Sequence, residues 1–185
     1  RRELSARRLG GRPIRWCIMN HTTVRVSYLE LTHSPSPVQA RLREERISRE
    51  RLRVREYLEL YGRIGEPLRW DQRLKMPRAE LLRLLVSERS AIYVLRDGGG
   101  RALGLCEFER GLADVELKNF GLLPMAQGQG LGSWLLHTAL HCEWQSRPGR
   151  IWLHTDNWDH PAAMHVYESA GFRVYKVAEE PAADL

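Results

Sequence analysis

The sequence has few cysteines and no long apolar run. Its three cysteines, Cys17, Cys106 and Cys142, are odd in number, scattered and without CxxC spacing. This pattern argues against a disulfide framework and against a zinc knuckle, and it fits a reducing compartment. No apolar stretch approaches the ~18 residues that a membrane-spanning helix needs, and there is no internal repeat or low-complexity segment. We therefore expect a soluble, cytoplasmic protein that does not bind membranes.

The excess of positive charge is confined to the beginning of the chain. The 185 residues allow a single domain, and a hydrophobic content of 43% is sufficient for a core. The net charge is +6 and the pI is near 9.6. Six of the 29 basic residues but only one of the 23 acidic residues lie in residues 1–18, which leaves 23 basic and 22 acidic residues in the remainder. This nearly neutral remainder makes nucleic acid an unlikely partner.

The charge distribution suggests the domain boundaries. Residues 1–18 contain no methionine, whereas Met19 stands just before the first strand-like run, so we expect residues 1–18 to be a basic extension outside the core. A basic tail for RNA or anionic surfaces is the alternative, and the segment lacks the apolar region of a secretory signal. We expect the folded domain to span residues 19–178 and residues 179–185 to be a loose acidic tail.

Alternating and helical patterns predict a mixed α/β domain. The segment Asp97-Gly-Gly-Gly indicates a hairpin turn, and residues 66–76 are predicted to be irregular. A strand, a helix and a strand follow one another after residue 114, which predicts a parallel pair with a right-handed crossover. The predicted strands are residues 24–31, 91–96, 101–109, 115–123, 151–155 and 172–177, and the predicted helices are residues 38–63, 77–85, 129–145 and 160–170.

A glycine-rich loop, QGQGLG at residues 127–132, opens directly into the third of these helices. The first N–H groups of a helix have no partners within it, and the helix dipole adds roughly half a positive charge there. Gly128, Gly130 and Gly132 would let a phosphate reach the amides. The loop lacks both the acidic residue of the dinucleotide fingerprint and the Lys-Ser/Thr pair of the nucleotide-triphosphate loop.

Two motifs carry a resemblance to a known family. The spacing Gln127-x-x-Gly130-x-Gly132 resembles the Q/R-x-x-G-x-G/A motif of the GNAT superfamily, the acetyl-CoA-dependent N-acetyltransferases. The later segment AAMHVYESAGF resembles the closing A-x-x-x-Y-x-x-x-G-F segment of that family. The resemblance extends over residues 24–176 and implies a mixed sheet of about six to seven strands with a splayed parallel pair, flanked by about four helices.

The resemblance also implies an activity and a set of cofactor contacts. The expected activity is transfer of an acetyl group from acetyl-CoA to a primary amine by direct attack, without a metal. His160 stands where many family members have an asparagine, and it is expected to bind the cofactor or to support the following helix, with a role as a base as the alternative. The expected cofactor-binding residues are Phe120, Gly121, Leu122, Gln127, Gly128, Gln129, Gly130, Leu131, Gly132, Ser133 and His160.

Two residues are candidates for the proton transfers of this reaction. Strict alternation would place Glu116 on one face of its strand with Lys118, Phe120 and Leu122, where the family has a catalytic glutamate. Glu116 is therefore a candidate base, and an ordinary ion pair with Lys118 is the alternative. Tyr167 matches the tyrosine of the family that protonates the leaving thiolate. A buried tyrosine bonded to the backbone is the alternative for Tyr167.

The remaining polar residues give weaker indications. His137 and His141 are four residues apart on one helix, but no third ligand is evident, so we expect no metal site. His154 and Asp156, near the end of a strand, are expected to line an acceptor pocket. The acceptor could be a small molecule or a peptide amine, and the sequence leaves a homodimer open. A catalytically silent CoA-binding or regulatory module is the alternative function.

Overall fold

A computed structural model of the chain describes residues 23–35 and 44–181. The predicted extension at residues 1–18 and the last four residues of the predicted tail lie outside these ranges. Within them, no helix is both long and apolar enough to cross a membrane.

Seven strands and five α-helices make up the described structure. The strands are β1 Thr23–Leu31, β2 Arg46–Arg49, β3 Ser90–Arg96, β4 Ala102–Arg110, β5 Asp114–Leu122, β6 Arg150–Asp156 and β7 Arg173–Pro181. The helices are α1 Val54–Gly65, α2 Gln72–Lys75, α3 Arg78–Val86, α4 Leu131–Trp144 and α5 Ala163–Ser169. Short 3₁₀ turns at Glu66–Leu68 and Pro124–Ala126 precede α2 and α4.

The strands form one mixed sheet in the order β2-β3-β4-β5-β6-β1-β7. Only β5 and β6 run parallel, and all other neighbours are antiparallel. The parallel pair is joined only from Asp114 opposite Arg150 to Glu116 opposite Trp152. Beyond Glu116 the two strands diverge although both continue. The predicted mixed α/β fold with a splayed parallel pair is therefore confirmed.

The sheet separates two apolar clusters. On one side α4 contributes Leu135 and Leu136, which pack with Phe108 of β4. On the other side α1 and α3 contribute Tyr57 and Leu81. Burying such a side chain fully is worth about 1.5–3 kcal/mol, so both helix layers are held to the sheet by substantial burial.

Two predicted boundaries are wrong. Residues 46–49, predicted to be helical, form strand β2, and helix α1 begins only at Val54. In β2 only Ile47 packs against the core, and charged residues on such an edge strand discourage further pairing. At the other end, β7 continues to Pro181 because Glu179 and Glu180 pair with β1. Strand β7 therefore extends four residues beyond the predicted strand end at residue 177.

A β-bulge in β5 changes which side chains share a face. Asn119 pairs with Glu107 and Leu117 pairs with Phe108, so Lys118 is an extra residue without an opposite partner. Bulges of this kind shift the alternation of side chains by one position. The prediction that Glu116 shares a face with Phe120 and Leu122 is therefore wrong.

Candidate active site

Two adjoining cavities open where β5 and β6 diverge. The larger, of about 520 Å³, lies beside the glycine loop and α5, and we call it the cofactor cavity. The smaller, of about 340 Å³, lies beside the segment between α1 and α2, and we call it the acceptor cavity. Four residues line both cavities and so mark their junction: Leu68, Phe120, Asp159 and Tyr167.

The glycine loop presents unpaired amides to the cofactor cavity. The first helical hydrogen bond of α4 runs from the N–H of Trp134 to the carbonyl of Gly130, at 3.2 Å. The N–H groups of residues 131–133 therefore have no partner inside the helix, and the residue before the helix provides no side-chain cap. Gly128 and Gly130 both have a φ of 73°, a conformation that favours glycine, and a Cβ on either would meet nothing within 4 Å. This end of α4 can accept a phosphate group.

The strand beside this loop has an open edge. From Leu117 onward, the side of β5 that faces β6 has no strand partner among the described residues. Main-chain groups on such an edge can bind the amides of an extended ligand. Gly121 also allows the end of α1 to approach, because a Cβ there would lie 2.4 Å from Cγ2 of Ile64.

Nine of the eleven predicted cofactor-binding residues line the cofactor cavity. The exceptions are Gln129, whose side chain donates a hydrogen bond to the carbonyl of Met125 at 2.9 Å, and Leu131, which is buried in the core. Gln127 lines the cavity but uses its amide to hold the loop, donating to the carbonyl of Leu122 at 3.1 Å. The nine lining residues are Phe120, Gly121, Leu122, Gln127, Gly128, Gly130, Gly132, Ser133 and His160.

His160 supports the turn that leads into α5. Its Nδ1 accepts a hydrogen bond from the N–H of Ala162 at 3.1 Å, while the exposed ring borders the cofactor cavity. His160 thus supports the turn from a position next to the cavity. Helix α5 itself begins at Ala163, two residues after Pro161.

Tyr167 lies at the junction of the two cavities and is 7% exposed. Its ring packs against Phe120 and Phe172, with centroids 6.0 and 6.1 Å away. Its hydroxyl makes no hydrogen bond with the described residues, so the alternative of a backbone-bonded core tyrosine is not what the structure shows. Burial, followed by the negative charge of Asp159, raises the pKa of Tyr167 well above its usual range. The hydroxyl therefore keeps its proton near neutral pH.

Glu116 lies outside both cavities. Its Oε1 is 2.8 Å from Nζ of Lys118 and 3.8 Å from Nδ1 of His154, and the residue lines neither cavity. The bulge at Lys118 accounts for this position, because it turns Glu116 away from the face that carries Phe120. The geometry favours the ion-pair alternative over the role of catalytic base.

The acceptor cavity is walled by side chains from distant parts of the sequence. His154 and Asp156, predicted to line such a pocket, do so. Arg69 and Trp158 both line it and contact each other, with the guanidinium carbon 4.9 Å from the ring centroid, a distance at which cation and ring attract. The wall formed by residues 68–72 lies in the segment predicted to be irregular, the connection between two helices that the family resemblance assigns to the acceptor side, and its short helical turns carry no long sequence period.

A buried polar cluster lies beside the acceptor cavity. The carboxylate of Glu107 accepts hydrogen bonds from Nη2 of Arg73 at 2.8 Å, from the hydroxyl of Tyr57 at 2.6 Å and from Nδ2 of Asn119 at 2.8 Å. These partners belong to α2, α1 and β5. The cluster therefore ties the wall of the acceptor cavity to the sheet, and its charged members are compensated, as buried charges must be.

Asp159 is the site residue that sequence reasoning missed. Its carboxylate accepts a hydrogen bond from the hydroxyl of Thr155 at 2.5 Å, and it has no ion-pair partner among the described residues. Burial raises the pKa of Asp159, the Thr155 hydrogen bond lowers it, and the nearby charge of Asp156 raises it further, with a net increase. The available signal was its position, between the end of β6 and the segment that opens α5.

No group of three or more potential metal ligands occurs in residues 23–35 and 44–181. His137 and His141 thus lack a described third partner for a metal. Burial lowers the pKa of His137, which favours its neutral form.

Comparison with known proteins identifies the domain. The family described as acetyltransferase (GNAT) domain matches residues 88–174, from the residue pair before β3 to the beginning of β7. The chain contains a GNAT domain. The matched residues include the glycine loop, Asp159 and Tyr167, and the GNAT family uses acetyl-CoA as cosubstrate. No curated protein matches the chain.

Solved structures support the GNAT fold. A GCN5-related N-acetyltransferase from Sphaerobacter thermophilus is 15% identical, with a TM-score of 0.61 over 85% of this chain and 50% of that one. A tandem GNAT protein from the clavulanic acid biosynthesis pathway is also 15% identical, with a TM-score of 0.61 over 85% and 54% of the two chains. The ribosomal-protein-S18-alanine N-acetyltransferase from Escherichia coli is 23% identical, with a TM-score of 0.54 over 71% and 79%. The present chain spans about half the length of the first two.

Proposed function

We propose that this GNAT domain transfers an acetyl group from acetyl-CoA to a primary amine by direct attack. The observation that carries the proposal is the junction of the two cavities, where a buried tyrosine hydroxyl lies between a cavity suited to CoA and a cavity open to an acceptor. A module that only bound CoA would not need the second cavity. The acceptor is a small-molecule or peptide amine.

The cofactor cavity fits the parts of acetyl-CoA. The unpaired amides of residues 131–133 and the dipole of α4 suit the pyrophosphate. The open side of β5 suits the amides of the pantetheine arm, and the thioester then lies toward the junction that Tyr167 borders. The apolar side chains of Leu122, Ala163 and Val166 line the space between these points.

Tyr167 supplies a proton to the leaving group. When the amine attacks the thioester carbon, the C–S bond breaks and its electron pair stays on sulfur. The Tyr167 hydroxyl has no competing hydrogen-bond partner among the described residues, and its raised pKa keeps it protonated up to alkaline pH. It can therefore donate its proton to the thiolate as negative charge develops there.

The proposal is tested by binding and by turnover. Titration calorimetry with acetyl-CoA should show saturable binding to one site. Thiol release should then be measured with a panel of alkyl, arylalkyl, polyamine and peptide N-terminal primary amines. Binding together with amine-dependent thiol release supports the proposal. Binding without turnover of any amine would favour the silent CoA-binding module, and absence of binding would contradict both functions.

A further inference from the structure

The junction contains a carboxylate to which neither the fold nor the family motifs assign a role. Asp159 lines the cofactor cavity, the acceptor cavity and a third cavity of about 370 Å³ on the outer side of the same loop. Its charge acts on Tyr167 strongly enough to contribute to the raised pKa of that hydroxyl. Asp159 and Tyr167 thus border the same space from two elements, the loop after β6 and helix α5.

The position of Asp159 is fixed by a neighbour within hydrogen-bond distance. The hydroxyl of Thr155, in the buried last part of β6, donates to one carboxylate oxygen of Asp159. A hydrogen bond with the backbone of Asp156 also lowers the pKa of Asp159. The remaining charged or titratable groups that act on Asp159 are Asp156 and His154, both on β6. A carboxylate that is held by neutral donors and has no ion-pair partner among the described residues can accept a proton.

The other candidate bases are less well placed. Glu116 is engaged by Lys118 and borders neither of the two main cavities. Asp156 borders the acceptor cavity but not the cofactor cavity, and it accepts the N–H of Trp158 at 2.6 Å. His154 likewise borders only the acceptor cavity of these two. Of these four side chains, Asp159 alone reaches both cavities, where amine and thioester must meet.

We propose that Asp159 is the general base of this domain and takes the proton from the acceptor amine, with Thr155 as a positioning residue. This inference rests on the proposed function. The nitrogen lone pair forms the new C–N bond while the C–S bond breaks and its electron pair goes to sulfur. The nitrogen becomes strongly acidic as that bond forms, so a carboxylate can accept its proton although a free alkylammonium has a pKa of about 10.4.

The same arrangement restores the resting state. After transfer Asp159 carries the proton from nitrogen, while Tyr167 has given its own proton to sulfur. A proton passes from Asp159 to Tyr167, directly or through water, and returns both side chains to their starting forms. The net result is one N–H proton moved to the CoA thiol, so atoms and electrons balance. The raised pKa of Asp159 is closer to neutral pH, and a base is most effective when its pKa lies near the operating pH.

The test compares carboxylate-to-amide variants with the amine that the wild type uses best. Asp159→Asn should lower kcat/KM by roughly 10²- to 10⁴-fold, the usual contribution of a general base, while acetyl-CoA affinity from calorimetry changes little. Asp97→Asn, in the turn between β3 and β4, is the matched control and should keep wild-type turnover. Equal rates for Asp159→Asn and wild type, or a comparable loss confined to Glu116→Gln, would overturn the proposal.

A second variant provides a readout that loss of fold cannot imitate. Thr155→Val removes the hydrogen bond that lowers the pKa of Asp159, so the acidic limb of the kcat/KM profile should move to higher pH. An unmoved limb would overturn the role of Asp159. If acetyl-CoA binds but the wild type uses no amine, the proposed function fails and this inference fails with it. If the wild type is active but Asp159→Asn and Thr155→Val both behave as the wild type does, the proposed function stands and the inference about Asp159 fails.

Discussion

The cofactor cavity and the acceptor cavity meet at four residues but are built in different ways. The cofactor cavity depends on main chain, namely the amides at the beginning of α4, two glycines with positive φ and the open side of β5. The acceptor cavity depends on side chains from five separate segments and on the buried carboxylate of Glu107 beside it. A main-chain site suits an invariant ligand, whereas a side-chain site can change its ligand by substitution. Damage to one cavity should therefore leave the other largely intact.

The largest effect is expected where the cavities meet. Tyr167→Phe keeps the ring and its packing against Phe120 but removes the proton donor. General acid catalysis typically supplies 10²- to 10⁴-fold, about 3–5 kcal/mol, so kcat should fall by that factor. Acetyl-CoA affinity measured by calorimetry should stay near the wild-type value. An unchanged kcat with the chemical step limiting would assign Tyr167 a structural role.

The stability of the structure around the acceptor cavity should be sensitive to loss of a buried charge. Glu107→Gln leaves the Arg73 guanidinium, whose side chain is 9% exposed, without its counter-ion. Breaking a buried pair costs about 3–5 kcal/mol, and we expect that loss in the free energy of unfolding from urea titration. Glu143→Gln is the matched comparison, because Glu143 pairs with Arg110, whose side chain is 29% exposed and can be hydrated. A larger loss of unfolding free energy for Glu143→Gln than for Glu107→Gln would contradict the view that the Arg73–Glu107 pair is the more deeply buried ion pair.

The cofactor side should respond to a change of backbone conformation. Gly130→Val places a β-branched residue at a φ of 73°, which costs roughly 1–2 kcal/mol. Distortion of the loop should weaken acetyl-CoA binding about tenfold or more, measured by calorimetry. Gly100→Val, at a φ of 85° in the hairpin distant from the cavities, carries a similar backbone cost and should leave affinity unchanged. If Gly130→Val and the wild type bound acetyl-CoA with equal affinity, the glycine loop would not be part of the cofactor site.

The smallest effect concerns pH and the wall of the acceptor cavity. Burial raises the pKa of Tyr61 from 10.0 to about 12, although the neighbouring Arg73 lowers it in part. Above pH 10 the unfolded chain loses this proton while the folded chain keeps it, so stability falls as pH rises from about 10 to about 12. The decrease is at most about 1.4 kcal/mol per pH unit for one group. Tyr61→Phe should show a shallower decrease of Tm between pH 9 and 11.5, and an identical decrease would contradict the assignment.

The sequence predicted the main-chain site better than the side-chain site, for a physical reason. The glycine loop, β5 and the beginning of α5 belong to a continuous stretch in which spacing determines geometry, so the cavity next to Gly128 and Gly130 could be located in advance. The acceptor cavity joins residues near 70, 118 and 156, and local patterns contain no information about such pairings. The sequence predicts a helix where the structure has strand β2, because the charged residues of this segment suit either structure on a surface.

The candidate base shows where alternation fails as a guide. Strict alternation of side chains predicts Glu116 on the same face of β5 as Phe120. The extra residue, Lys118, places Glu116 on the opposite face. No local sequence signal marks this bulge, since Lys118 is not a glycine. Asp159 has the opposite property, because it lies on a loop without period and only the three-dimensional fold brings it to Tyr167.

The central claim is that both cavities act together in acetyl transfer. The direct measurement uses acetyl-CoA labelled with carbon-13 in the acetyl group, a primary amine found active in the thiol-release panel, and mass spectrometry of the products. We predict that the label appears in an amide of that amine in the same molar amount as free CoA thiol. Release of thiol with the label found only in free acetate, and none in the amide, would contradict the account.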